Sequence, residues 1–477
     1  MPYPSPPKPL WAKALAVLVV ALAADLLLFD TAPGSAFGLL LILWCAVVAI
    51  LMPPTRRGLS IMLIGIAALF ALVMAIDPGF LAWCLYWAAL GSAVLLPRHR
   101  FDDAARWGCR LVVQALAAVP APLRDFRSAM GRGGWRLSWS VMILPIVGGT
   151  LFLLLFGLAN PVIGTMLDRI QPPDVDRLVG HGVMISVALI VAWASLRPRS
   201  LRRAPFPQWR APRIALSSAT LASSLAVFNL VFALQNGLDL AFLWSGAPLP
   251  AGVTLADYAH QGAYTLIVVA LLAAAFVLLL LRPGGAPILR PLVLVWLAQT
   301  LLLVASSLLR LADYVAAYML TGWRIAAFAW MVLVAVGIVL IAWRWIAGRS
   351  ALWLVNANAM AALAVLALAS TVDSGAIAAT WNVRHARTAD QIDLAYLRRL
   401  GPSALLSLAA LERRAGGPVL RGRARALRTA AQIRLESDQR DWRSWTILGA
   451  YRSAAIGAAT AADRRWYARQ AKNAEMR

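Results

Sequence analysis

For most of its length the chain alternates long apolar runs with short polar punctuation. Runs with little or no charge cover residues 10–29, 35–52, 59–76 and 80–96, then 138–158, 179–196, 214–234, 263–281, 292–309, 325–342 and 351–372. A hydrocarbon core about 30 Å thick takes roughly 20 apolar residues per helix. Inside lipid the backbone must satisfy its own hydrogen bonds, which a helix does. The pattern therefore predicts an all-α fold, a polytopic transmembrane bundle of about eleven helices. From Asp373 onward charges fall every few residues, and leucines recur at helical spacing, at Leu394, Leu397 and Leu400 and again at Leu405, Leu408 and Leu411. Gly401-Pro402 and Gly416-Gly417-Pro418 divide this stretch, which predicts a soluble C-terminal domain of helical hairpins over residues 373–477.

The connectors between runs sort by charge. Arg56 and Arg57, eight arginines in 97–137, six in 197–213, Arg282 with Arg290, and Arg344 with Arg349 occupy loops of one parity. Loops 30–34 and 77–79, of the other parity, carry only acidic charge. Basic residues hold short loops on the cytoplasmic side, so the N-terminus is expected inside and the C-terminal domain outside, in a bacterial cytoplasmic membrane. The organisation that follows is a proline-rich cytoplasmic tail (1–9), four membrane helices (10–96) and a basic cytoplasmic segment (97–137). Next come seven further membrane helices (138–372) with a long outer loop at 235–262, and then the outer domain (373–477). The basic segment holds one apolar stretch, 111–119, too short to span and read as an interfacial helix. The small residues near Ala21 to Ala24 resemble a signal-peptide cleavage site, but the apolar run continues to Phe29, so the first helix is expected to be retained.

Composition agrees with a lipid environment: 61% of residues are hydrophobic, 14% are charged, and the mean hydropathy is +0.72. The net charge of +24 would raise nucleic acid as a partner in a soluble chain. Here the arginines concentrate in loops, where anionic lipid headgroups are the natural partner. Cys45, Cys84 and Cys109 are far apart and give no disulfide framework. His99, His181, His260 and His385 lack ligand spacing, so no metal or cofactor is expected. Gly131 to Gly134 follows no strand and lacks a phosphate-loop lysine, and no other catalytic motif is present. The chain reads as non-enzymatic.

Several stretches resemble the domain-of-unknown-function family DUF4173 of bacterial membrane proteins. They are Leu243-Trp244-Ser245-Gly246, Leu249 to Thr254, Asp257-Tyr258 to Gly262, Ala312-Asp313-Tyr314 to Thr321 with Arg324, Asp373, Ile377, Asn382-Val383, and Asp393 to Pro402. The resemblance runs from about Leu137 to Trp445. Where that family usually has glycine before Leu320, this chain has Met319. The resemblance implies a membrane topology and assigns no activity.

Ionisable residues inside membrane helices are costly and mark function, and the ninth run with its extension holds most of the candidates. Gln299, Ser306, Arg310, Asp313 and Ala317 recur along one helical face. Arg310 and Asp313 are placed to pair, Tyr314 and Tyr318 to stack, and Thr321-Gly322 to break the helix before Arg324. One reading makes Gln299, Arg310, Asp313, Tyr314, Tyr318, Thr321 and Arg324 an outward site for an anionic headgroup or peptide, with the arginines as donors. The other makes them an interfacial tyrosine belt with a packing ion pair. Asp239, Asp257, Tyr258 and His260 in the outer loop raise transfer chemistry on a lipid-linked substrate. Pro145 with Gly148-Gly149 could unwind the fifth helix as in transporters. Asn356 and Asn358 are expected to bond a neighbouring helix. Three functions follow, in order of preference: a scaffold or regulatory protein whose outer helical domain binds an envelope protein or polymer, a transporter or flippase of amphipathic molecules, and an envelope glycosyl or acyl transferase.

Overall fold

The computed structural model describes residues 10–51, 57–97, 101–129, 174–197, 217–245, 268–277, 287–386, 388 and 391–458. Among them the chain is helical throughout, without strands. Seven helices are long and apolar enough to cross a membrane: α1 (Leu10–Leu28), α3 (Arg57–Ile76), α7 (Val175–Leu196), α8 (Ser218–Asp239), α10 (Leu289–Tyr318), α11 (Gly322–Ala347) and α12 (Ala351–Ser370). Three shorter apolar helices stand at further expected runs: α2 (Ser35–Leu51), α4 (Phe80–Leu95) and α9 (Val268–Val277). The fifth expected helix, 138–158, lies outside the described residues. The basic segment holds two amphipathic helices, α5 (Ala104–Ala118) and α6 (Ala121–Ala129), the first capped by the Asp103 side chain accepting the Arg106 N–H at 2.9 Å. Between Ser374 and residue 458 the chain forms α13 (Ser374–His385), α14 (Leu394–Leu400), α15 (Leu405–Arg414), α16 (Pro418–Arg440) and α17 (447–458).

The apolar faces form two separate membrane cores. In the first, α1 to α4 and the end of α7 close around Val17, Trp44, Ala71, Tyr86, Leu90 and Trp193. In the second, α8 to α12 close around Leu225, Val277, Trp296, Leu297, Ile338 and Trp345. Trp296 gathers Phe228, Phe232 and Phe276 at 5.3 to 5.5 Å between centroids, joining α8, α9 and α10, a geometry that adds to the area these rings bury. Between the halves, Asn356 on α12 accepts the Ala104 N–H of α5 at 2.8 Å. Asn358 instead donates to the Leu354 carbonyl of its own helix at 3.0 Å.

The C-terminal domain has a core of its own, with Ala379, Val383, Leu397, Leu408, Leu411 and Ala424 buried, and it is seated on one end of the membrane helices. Trp445 accepts the Ser35 N–H at 2.7 Å, and Ser35 Oγ accepts the Ile447 N–H at 3.2 Å while donating to the Ala75 carbonyl. Backbone meets backbone at Gly34, where a Cβ would lie 2.3 Å from the Arg443 carbonyl oxygen. Only glycine fits there. Asp373 caps α13 by accepting the Ala376 N–H at 3.0 Å and pairs with Arg452. Thus the start of α2, the end of α3 and the end of α12 share one face, the domain face.

Candidate functional site

Two of the expected helices extend beyond their apolar runs, and the extensions carry the polar chemistry. The α8 helix continues through Asp239 and ends in a π-helical turn, Leu240–Trp244, a stretch the sequence pattern assigns to the outer loop. The α10 helix continues through Tyr318. These helices are neighbours and run parallel, because contacts climb together along both: Asn229 to Leu292, Asn236 to Gln299 and Trp244 to Ser306.

A polar seam fills the contact. Asn229 Nδ2 donates to the carbonyls of Leu225 (2.8 Å) and Leu292 (3.1 Å), and its Oδ1 accepts Gln299 Nε2 at 2.8 Å. Asn236 Nδ2 donates to the Gln299 carbonyl at 3.1 Å, and Trp244 Nε1 to Ser306 Oγ at 3.1 Å. Gln235 Nε2 donates to Asp239 Oδ1 at 3.0 Å, and the Arg310 guanidinium donates to the same oxygen. Arg310 is 3% exposed and Asp239 not at all. Each ion cancels a charge that isolation in this interior would make prohibitive. Asn236 Oδ1 and Gln299 Oε1 make no hydrogen bond among the described residues.

The expected Arg310–Asp313 pair is therefore not formed. Asp313 is exposed, whereas Arg310 is buried and its guanidinium is taken by Asp239. The remaining candidates gather at the domain face. Tyr314 and Tyr318 rings lie 4.8 Å apart, and the Arg324 guanidinium stands 4.5 Å over Tyr314, within cation–π range. Arg324 Nη1 also donates to the carbonyls of Tyr318, at 2.6 Å, and Met319. Thr321 caps α11 through its side chain and the Arg324 N–H. So Gln299 and Arg310 belong to the buried seam, whereas Tyr314, Tyr318, Thr321 and Arg324 belong to the link between α10 and α11.

That link is gripped by the C-terminal domain. Asn382 accepts the Leu320 N–H at 2.7 Å and donates to the Leu320 carbonyl at 2.9 Å, while the Tyr396 hydroxyl accepts the Gly322 N–H at 3.0 Å. Met319 has φ 68° and ψ 166°, a region nearly exclusive to glycine and costing about 1–3 kcal/mol elsewhere. Asn382 and Arg324 supply the contacts that over-determine it. Asn382 was not among the sequence candidates, although a lone amide among small residues on a helix at the membrane boundary is the kind of signal that marks such a clamp. Asn229 and Asn236 were also missed, yet they are seven apart, as are Leu292, Gln299 and Ser306, the interval at which two neighbouring helices meet repeatedly.

Elsewhere, the Asp25 carboxylate on α1 and His181 Nδ1 on α7 meet at 2.8 Å, with Phe29 stacked on the imidazole at 3.6 Å. Asp239 is the one outer-loop transfer candidate described, and the buried pair occupies it; Asp257, Tyr258, His260 and Pro145 lie outside the described residues. Among the described residues no three of His, Cys, Asp and Glu come together as metal ligands.

Long apolar helices packed in this way are those of a helical membrane protein. The chain belongs to the family described as Domain of unknown function (DUF4153), which matches residues 11–411. That corrects the resemblance drawn from the sequence to DUF4173, and the match reaches further toward the N-terminus, taking in the first core as well as the seam and the clamp. No curated protein and no solved structure matches the chain.

Proposed function

We propose that the protein is a non-enzymatic multi-pass scaffold of a bacterial cytoplasmic membrane, with about eleven membrane helices, its N-terminus inside, and a C-terminal domain presented outside to an envelope partner. One observation carries this reading: the domain is fastened to both membrane cores at once. Ser35 and Gly34 hold it to the first core and the Asn382 clamp holds it to the second. A domain so fastened is a platform of fixed orientation rather than a tethered module. Arginine-rich loops of a single parity support the sidedness. The test is a paired measurement on the full chain. A Ser35→Cys/Ile447→Cys variant should form a disulfide in intact membranes, and alkaline phosphatase fused after Arg477 should be active. A reporter active only in the cytosol, or cysteines that never bridge, would refute the reading.

A second reading, a transporter of amphipathic molecules, is favoured by the α8–α10 seam, since ionisable groups inside membrane bundles commonly line substrate paths. It requires water to reach Gln299. A cysteine there that stays inert to membrane-impermeant thiol reagents from either side would remove it.

A further inference from the structure

The C-terminal domain carries a cleft of about 890 Å³, within the size range of small-ligand sites. Val383, Leu394, Leu411 and Leu420 line it, together with Arg414 and Arg423. Val383 and Leu411 belong to the buried core; the apolar lining that opens to water is Val419, exposed, with Ile392, Leu394 and Leu420 half-buried, and such surface is unfavourable unless something covers it. Neither arginine forms an ion pair among the described residues. Glu412 occupies the neighbouring Arg425 and Arg428 at 2.7 Å each. Arg423 has no ion-pair partner among the described residues, and Arg414 reaches only the Val383 carbonyl at 3.4 Å. The one acid of the lining, Asp393, uses its carboxylate to accept the Tyr396 N–H at 2.8 Å.

Position selects the occupant. The α13 helix begins beside the end of α12, at Asp373, and nine residues later its Asn382 grips the end of α10. It therefore lies along the membrane face, spanning about 14 Å between two helix ends. Val383, next to Asn382, is already a wall of the cleft. The cleft thus shares α13 with the contacts that seat the domain on the membrane helices, within reach of a bilayer surface where lipid is the most concentrated ligand and a peptide would have to be recruited.

We propose that this cleft binds an anionic lipid of the adjoining leaflet, its phosphate held by Arg414 and Arg423 and its acyl chain laid against Ile392, Leu394, Val419 and Leu420. Guanidinium matches phosphate in bidentate geometry. The inference rests on the domain being fixed at the membrane face.

The test uses the full chain in neutral detergent, titrated calorimetrically with dihexanoyl phosphatidic acid, dihexanoyl phosphatidylcholine, inorganic phosphate and a polyglutamate peptide. Phosphatidic acid should bind at least about tenfold more tightly than the other three. Arg423→Glu and Arg414→Glu should each weaken it about fivefold or more, the effect of one basic residue near an anionic headgroup. Arg434→Glu, exposed further along α16, should leave it unchanged. Equal binding of inorganic phosphate would mean a free-phosphate site, preference for polyglutamate a protein partner, and equal losses in all three variants mere surface charge; each overturns the proposal. The Ser35→Cys/Ile447→Cys bridge is read in the same preparation. A formed bridge without lipid binding refutes the lipid site alone, whereas an absent bridge refutes the docked platform and the lipid site with it.

Discussion

The two membrane cores solve the same packing problem with different chemistry. In the first, neighbours approach through small residues and through aromatic rings, several of which carry a hydrogen bond to a neighbouring helix. Gly38 lets α2 close on α3, Tyr86 donates to the Leu41 carbonyl at 3.0 Å, and Trp44 Nε1 donates to Ser195 Oγ at 3.1 Å. In the second, α8 and α10 are joined by amides at seven-residue intervals and by a wholly buried ion pair. Apolar burial drives no association between helices already in lipid, so close packing and interhelical hydrogen bonds must do it. The first core relies on closeness and the second on hydrogen bonds. Polar contacts also fix which helices are neighbours and in what register, which matters most for a parallel pair such as α8 and α10, since no short turn joins them.

The strongest test removes one ion of the second core. Arg310→Ala leaves Asp239 charged and enclosed, and loss of one partner of a buried pair costs about 3–5 kcal/mol. The double variant Asp239→Leu/Arg310→Leu should recover most of that, because no lone charge remains. Unfolding in dodecyl sulfate mixed micelles, followed by circular dichroism, measures both. If the single and double variants lose equal stability, the pair is not the organising contact of the seam.

The first core should break by volume instead. A Cβ on Gly38 would lie 2.3 Å from the Ala75 backbone nitrogen and 2.5 Å from its Cα, and backbone cannot swing aside as a side-chain end can. Gly38→Ala is expected to cost about 1–3 kcal/mol, the usual range for overpacking, in the same unfolding measurement. Because Ser35 lies one turn away and carries the domain, the variant should also slow formation of the Ser35→Cys/Ile447→Cys bridge. Unchanged stability together with an unchanged bridging rate would show that α2 and α3 do not pack at this distance.

The sequence made some of this legible and hid the rest for identifiable reasons. Apolar runs located the helices because a span needs only length and hydrophobicity. The break before Arg324 was readable from Thr321-Gly322, since threonine caps and glycine loosens. The true partner of Arg310 was not readable. Asp313 is the acid within helical reach in sequence, whereas Asp239 is 71 residues away and sits beside Gly237 in a stretch whose polarity resembles a loop. Burial against Arg310 is what keeps that stretch helical, and burial is a tertiary fact. Docking of the domain was equally hidden. Gly34 and Ser35 look like an ordinary turn, and the contact that makes them matter comes from residues 443–447. Of the seven candidate positions, the structure divides Gln299 and Arg310 from Tyr314, Tyr318, Thr321 and Arg324, and leaves Asp313 outside both groups.

The smallest expected effect sharpens the comparison most, because the first core has an ion-pair geometry of its own. Asp25 and His181 meet at 2.8 Å, but their side chains are 14% and 43% exposed, against 0% and 3% for Asp239 and Arg310. If hydrogen-bond distance alone set the strength of a pair, Asp25→Asn would rival Arg310→Ala. Burial argues otherwise. His181 is open toward the surface near the start of α7, where solvent makes good part of the loss of a charged partner, and the asparagine amide can still meet the ring nitrogen. The expected cost is about 0.2–1 kcal/mol, the range of exposed pairs, in the same mixed-micelle titration. A loss of several kcal/mol would mean that this site is sealed from water when lipid surrounds it, and the contrast between the two cores would then be one of position along the helix rather than of chemistry.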